Sequence, residues 1–238
     1  MCGRYVVTKA TSTLLESLMG DLPDLPDDYN VAPTDDIPTV RVRHGQRELM
    51  PMHWGLVPGW AKTFDVKPQP INARLESIDS NGMFRRAFGR HRAIVPALGY
   101  YEWQTLAGQK QPWFIRAPEA GMAFAALYAA WPDPTKAEDD PEKWRLSTTI
   151  VTREAKDASG RIHPRMPVCL TPDTYTDWLG DRLDDEERLH LLDRTSLEVA
   201  GTLIAYPVSK AVGNVNNDGP ELIEPVELLG QPEPLDLG

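Results

Sequence analysis

Most of the features that reveal a function quickly are missing from this chain. It has two cysteines in 238 residues, too few for a disulfide framework. No stretch approaches the roughly 18–20 consecutive apolar residues of a membrane span. The first residues lack a basic segment followed by an apolar one, so no secretory leader is expected. Its five histidines show no ligand spacing, which argues against a metal site, and no cofactor motif is present. Internal repeats and long low-complexity stretches are absent as well. A hydrophobic content of 41% supports a real core. The expectation is a cytoplasmic, monomeric, single-domain protein in a reducing compartment, where thiols persist.

Basic residues are also in deficit. The net charge of -10 argues at first against a nucleic-acid partner, but the deficit is local. Residues 133–143 hold five acids and two lysines, and residues 221–238 hold five acids and no base. Without these two segments the balance is 25 acids against 23 bases. Arg41, Arg43 and Arg47 fall together, and Arg85, Arg86, Arg90 and Arg92 fall in a stretch with no acid. Phosphate binding depends on the local field and not on the total. Each cluster, taken alone, reads equally as a solvated basic face.

The second residue is the most informative. If Met1 is removed, Cys2 carries an amine and a thiol on one residue. Such an aminothiol condenses with an aldehyde to an imine, and the thiol then closes a thiazolidine ring. Well-placed intramolecular closures reach effective molarities of roughly 10⁵–10⁸ M. Cys169, in Val168-Cys169-Leu170, reads instead as a core residue.

Short β-like runs predict strands at Arg4–Thr8, Ile37–Val42, Glu48–His53, Ala93–Val95, Gly99–Trp103, Trp113–Ile115, Ala123–Ala129, Arg145–Thr152 and Thr202–Val208. Helices are expected over Thr11–Met19, Leu75–Phe88, from Thr171-Pro172 through Trp178, and over Asp184–Leu192. Asp21–Pro33 reads as irregular and Pro132–Lys143 as a solvent loop. Many short strands with scattered helices predict an α+β fold, a single domain with a curled, mostly antiparallel β-rich core and peripheral short helices. The domain is expected to span residues 2–226, with 227–238 as an acidic mobile tail.

Five strings combine polar and special residues with apolar or turn-forming surroundings. They are Met1-Cys2-Gly3-Arg4-Tyr5; Tyr29-Asn30-Val31-Ala32-Pro33-Thr34; Trp54-Gly55-Leu56-Val57-Pro58-Gly59-Trp60 followed by Ile71-Asn72-Ala73-Arg74-Leu75-Glu76-Ser77; Arg92 through Trp103; and His163-Pro164-Arg165-Met166-Pro167-Val168. In this order they resemble the SRAP family, the SOS-response-associated, abasic-site processing proteins. The resemblance runs from Cys2 to about Val226. It implies binding of single-stranded DNA and a covalent thiazolidine crosslink between Cys2 and the aldehyde of an abasic site. It also implies AP-lyase activity and self-catalysed loss of Met1. A location on the nucleoid during action on DNA follows.

By that resemblance Cys2, Asn72, Glu102 and His163 carry the chemistry. Glu102 would move a proton to the sugar oxygen during ring opening, His163 would assist imine formation and reversal, and Asn72 would hydrogen-bond the crosslinked Cys2. Arg4, Arg74 and Arg165 would hold phosphates, Trp54, Trp60 and Trp103 would stack on bases, and Thr152 would line the pocket. The chain departs from the family pattern at Ala93, often a cysteine, and at Leu75, usually small or polar. Two other readings stay open. An N-terminal-nucleophile amidohydrolase would use Cys2 on an amide, and a noncovalent single-stranded DNA-binding protein would use only the arginines and tryptophans. Release of glutamate from glutamine marks the first, and a native-gel shift without a covalent band marks the second.

Overall fold

In a computed structural model, residues 2–20, 25–106, 108–118, 121–156 and 158–228 are described. The expected tail thus lies almost wholly outside the described residues. Among the described residues thirteen strands run in chain order as β1 Tyr5–Val7, β2 Asp28–Val31, β3 Asp36–Arg43, β4 Gln46–Trp54, β5 Asn72–Arg74, β6 Arg92–Ala97, β7 Gly99–Leu106, β8 Gln109–Arg116, β9 Met122–Pro132, β10 Trp144–Glu154, β11 Arg165–Pro167, β12 Cys169–Leu170 and β13 Ile204–Pro207. The helices are α1 Ser12–Met19, α2 Arg85–Arg90, α3 Tyr175–Leu179 and α4 Asp185–Ala200.

The larger sheet closes on itself. β4 pairs with β3, β3 with β6, β6 with β9, β9 with β10, and β10 returns to β4. The ring is antiparallel except at β10–β4, and β10 also takes β5 in parallel. The curled, mostly antiparallel α+β core expected from the sequence is what forms. Closure leaves no edge within the ring, and β9 is sealed on both faces, with Phe124 on one and Leu127 on the other, each fully buried. The β3–β4 hairpin turns at His44-Gly45, both with positive φ (50° and 78°), the geometry whose twist matches the flanking strands.

The smaller sheet runs β13-β8-β7-β1-β2. Tyr5 joins the two sheets. It is fully buried and packs edge-on against Trp54 of β4 (5.5 Å) and Phe124 of β9 (6.2 Å). The chain crosses between the sheets at Leu98-Gly99. A Cβ on Gly99 would lie 2.5 Å from the Phe114 ring and 2.6 Å from the Ile115 carbonyl, so only glycine fits this close crossing.

Three expectations change. The segment from Leu75 to Phe88 is not one helix but a 3₁₀ turn over Leu75–Ser77 and the short α2. Asn81 interrupts it, because its side chain accepts from Met83 N–H and offers the backbone a turn instead of a helix. The Asp21–Pro33 passage contains β2, an edge strand held by partners distant in sequence. Asn30 accepts from Arg4 and donates to the carbonyls of Asn214 and Asn217. The basic stretches are not wholly solvated either. Buried Arg92 donates to the carbonyls of Trp178, Phe88 and Gly180, and Arg41 pairs with Glu48. Arg43, Arg85, Arg86 and Arg90 remain exposed.

Helix ends follow local rules. Asp184 caps α4 by accepting from Glu187 N–H, while the Glu187 side chain accepts from Asp184 N–H. Thr171 and Thr174 form the same reciprocal arrangement before α3.

Candidate active site and nucleic-acid interface

The site lies where the amino-terminal segment passes between the two sheets. Cys2 is fully buried, and its carbonyl accepts from Asn72 Nδ2 at 2.9 Å. Asn72 is supplied by β5, on the barrel side. Glu102 comes from β7 of the other sheet. β1 pairs with β7 with Tyr5 opposite Tyr100, and Tyr101 N–H donates to Arg4 O, so the same register carried outward sets Glu102 across from Gly3. Strand pairing therefore brings residues 2, 72 and 102 together.

Glu102 has a side chain only 3% exposed. Burial pushes its carboxyl up to about 7, against the opposing positive charge of the amino terminus. The Cys2 thiol is pushed well above its ordinary value, first by burial and then by the Glu102 charge. His163 follows a 3₁₀ turn over Ala158–Arg161 and precedes β11. Its Nδ1 lies 3.6 Å from Glu102 Oε1 and accepts from Arg165 N–H at 3.1 Å. Nδ1 also lies 3.3 Å from Arg165 O, so its contacts suit either tautomer of the neutral ring. Burial, reinforced by the amino-terminal charge, lowers the His163 pKa and keeps the ring neutral near pH 7. Asn72 Oδ1 is buried and has no hydrogen-bond partner among the described residues, an arrangement native proteins rarely leave without a purpose.

β5 and β11 flank β10. The register sets Arg74 beside Thr152, and Arg165 beside Glu154. Residues two apart on a strand share a face, so Asn72, Arg74 and Arg165 lie on one side of this segment. Arg74 is exposed and makes no hydrogen bond or ion pair among the described residues. Arg165 grips Glu76 through two bonds (2.7 and 3.0 Å) and donates to Thr152 O at 2.7 Å. Thr152 is buried, so it braces Arg165 and does not form the pocket surface.

The tryptophans separate. Trp54 is fully buried, donates from Nε1 to Ile71 O at 2.9 Å and packs on Tyr5, so it cannot stack on a base. Trp103 packs on the second, smaller core with Tyr101 and Phe114. Adjacent strand residues face opposite ways, which puts Trp103 across the sheet from Glu102. Trp60 is 70% exposed, beside a groove lined by Leu56, Met83, Arg86, His91 and Trp144 that includes none of the Cys2-site residues. Arg4 is turned onto internal acceptors, Asn30 Oδ1 (2.8 Å) and Val212 O (3.0 Å). Sequence reasoning passed over Glu76, Lys110 and Gln104. Lys110 bears on the charges of Glu102 and His163. Gln104 donates to Arg161 O, tying the end of β7 to the turn before His163.

Trp54→Ala is expected to cost about 3–5 kcal/mol by urea unfolding, as for a large aromatic removed from a packed core. A variant of unchanged stability with weakened DNA binding would return Trp54 to the interface.

No helix among the described residues is long and apolar enough to cross a membrane. Among the described residues no group of three or more His, Cys, Asp or Glu is arranged for a metal ion. The chain is 34% identical over 234 residues to the abasic site processing protein YoqW of Bacillus subtilis (strain 168), covering 94% of this chain and 99% of that one. It is 34% identical over 233 residues to the abasic site processing protein YedK of Escherichia coli (strain K12), covering 95% and 100%. The abasic site processing protein HMCES of Rattus norvegicus is 27% identical over 282 residues, covering 98% of this chain and 78% of that one. A Bacteroides thetaiotaomicron protein of known crystal structure shares the fold, with a TM-score of 0.77 at 22% identity, covering 95% of this chain and all of that one. A family model described as SOS response associated peptidase (SRAP) matches residues 1–215, and with it the near full-length relatives show that this chain belongs to the SRAP family.

Proposed function

We propose that this protein processes abasic sites in single-stranded DNA by forming a covalent crosslink through Cys2. The observation that carries this reading is the meeting of Cys2 with Asn72 and the Glu102–His163 pair in one buried site. The names of the relatives, abasic site processing proteins, point to the same substrate.

The steps balance without a redox partner. Loss of Met1 by hydrolysis of the bond before Cys2 consumes one water and frees the α-amine. The abasic deoxyribose opens to its aldehyde when its ring oxygen gains a proton and its hydroxyl loses one. Glu102, held near pH 7 between acid and base, is suited to donate the first. The neutral amine adds to the aldehyde carbon and expels water, giving an imine. The sulfur then bonds to the imine carbon while the thiol proton passes to nitrogen. A thiol kept protonated by burial needs a base for that last step, and ionised Glu102 supplies one. His163, neutral and partly open to solvent, relays protons between the site and water. Asn72 holds the backbone of Cys2 and keeps its buried oxygen for the amine or a sugar hydroxyl. The same imine permits β-elimination on the 3′ side of the lesion, so strand cleavage and Met1 removal belong to the proposal too. Arg74 and Arg165 would take the flanking phosphates.

The test mixes the protein with a single-stranded oligonucleotide carrying one abasic site and resolves the products on a denaturing gel. A heat-stable shifted band is expected. Its absence would sink the crosslinking reading, and a native-gel shift alone would leave only a noncovalent binder.

A further inference from the structure

No step above uses Glu76, yet it has the most specific charged contact on the face that carries Arg74 and Arg165. Its side chain is 50% exposed, while that of Arg165 is 17% exposed. Glu76 Oε1 accepts from Arg165 Nη1 at 2.7 Å and from Glu154 N–H at 3.0 Å, and Oε2 accepts from Arg165 Nη2 at 3.0 Å. The guanidinium is thus filled by a two-oxygen anion in its bidentate geometry. That geometry is the one a guanidinium also uses for the two non-bridging oxygens of a phosphodiester.

Three observations give the contact a meaning beyond a surface ion pair. First, the two arginines on this face differ. Arg74, two residues before Glu76, is exposed and unpaired among the described residues, whereas Arg165 is occupied. Second, Arg165 is held from behind by Thr152 O at 2.7 Å, so it keeps its place when its outer partner leaves. Third, the backbone of Arg165 touches the proposed catalytic pair: its N–H donates to His163 Nδ1 at 3.1 Å, and that nitrogen lies 3.6 Å from Glu102 Oε1. Burial alone would push the Glu76 carboxyl up, but its bonds from Arg165 and from backbone amides outweigh this and lower it, so the carboxylate is ionised at neutral pH. A phosphate arriving at Arg165 therefore meets a like charge already in the site. Partly exposed ion pairs are weak, which makes exchange feasible.

We propose that Glu76 is an internal anion that fills the Arg165 fork in the free protein and is exchanged for a backbone phosphate when the DNA strand docks, so that it limits affinity for the strand. The proposal rests on the reading that this site receives an abasic strand. Glu76 thereby discriminates against anions too weak to displace it, while Arg74 provides the open first contact.

The experiment measures noncovalent binding by fluorescence anisotropy. The probe is a single-stranded oligonucleotide with a tetrahydrofuran residue at the abasic position, which has no aldehyde and cannot crosslink. Glu76→Gln removes the charge and keeps the shape. Its Kd is expected to fall about three- to tenfold at low salt, with the gain shrinking as salt screens the charges. Glu76→Ala, which removes both charge and reach, is expected to tighten binding as well. If Glu76 is only a brace that positions Arg165, both variants bind more weakly, and that result overturns the proposal, as does unchanged affinity. Thermal unfolding of each variant confirms that it is folded before its Kd is compared. No binding by the wild type would remove the functional reading and this proposal with it. Wild-type binding without a gain in the variants would remove only this proposal.

Discussion

A chain with Cys2 replaced by serine is expected to give no heat-stable adduct with an abasic oligonucleotide, a loss of at least ~10³-fold on a denaturing gel, because ring closure by the thiol is an intramolecular step with an effective molarity of roughly 10⁵–10⁸ M. The same variant is expected to give a shifted band when borohydride is present during the reaction. Serine keeps the α-amine once Met1 is lost, so the imine still forms and reduction traps it. Without reduction the imine returns to amine and aldehyde by hydrolysis. The pair of results separates the two functional groups of one residue. A wild-type level of heat-stable product from Cys2→Ser would show that the sulfur is not in the linkage. No band even with borohydride would show that the amine is not the attacking group.

Replacing Glu102 by glutamine is expected to slow crosslinking by about 10²–10⁴-fold, the usual contribution of a positioned acid–base group. Affinity for the tetrahydrofuran oligonucleotide is expected to stay within about twofold, since Glu102 is buried and on no phosphate. The pH dependence identifies its role. Protonated Glu102 is needed to open the sugar and is lost as pH rises through about 7. The neutral amine is gained as pH rises through about 7.7–8. The wild-type rate should therefore peak between these values, while the glutamine variant should only rise with pH. Equal rates, or an unchanged high-pH decline in the variant, would remove Glu102 from the mechanism.

Stability gives a second measure of the same carboxyl. Its folded value of about 7 lies above the ordinary 4.5, so between these values the folded state holds a proton that the unfolded chain has released. Stability falls as pH rises through that window and levels off above it. Glu102→Gln cannot ionise, so it should be more stable than the wild type at pH 8 by on the order of 3 kcal/mol, and no more stable at pH 4. Urea unfolding at both pH values checks the sign.

Much of this was legible in the residues. Short apolar runs located most strands; β6 and most of β10 are buried on both faces, so alternation between an inner and an outer face does not mark them. Thr171-Pro172 and Asp184 announced helix starts through their own side chains. The order of the five strings carried the family. Strand geometry contained a warning about Trp103, since a residue adjacent to Glu102 on a strand must face the other way. Other features had no local signal. β2 and β5 are short and hold their form through partners more distant along the chain. Trp54 and Trp60 belong to one string, yet one is sealed under Tyr5 and the other stands in solvent. Arg92 looks like surface charge and is an internal clamp on three carbonyls.

What the sequence determined by itself is chemical: an aminothiol latent at Cys2, titratable side chains at Glu102 and His163 that the family resemblance singles out, and enough short apolar runs for a β-rich core. Only the tertiary structure decided which of these groups meet. Cys2, Asn72, Glu102 and His163 come together because β1 pairs with β7 while β5 pairs with β10, two registers set by burial of the whole core and not by any neighbouring residue. It also decided that Arg165 reaches the site already holding Glu76. Local periodicity states which way a side chain faces. It does not state what will face it, because that partner is chosen by packing across a sequence separation of tens of residues.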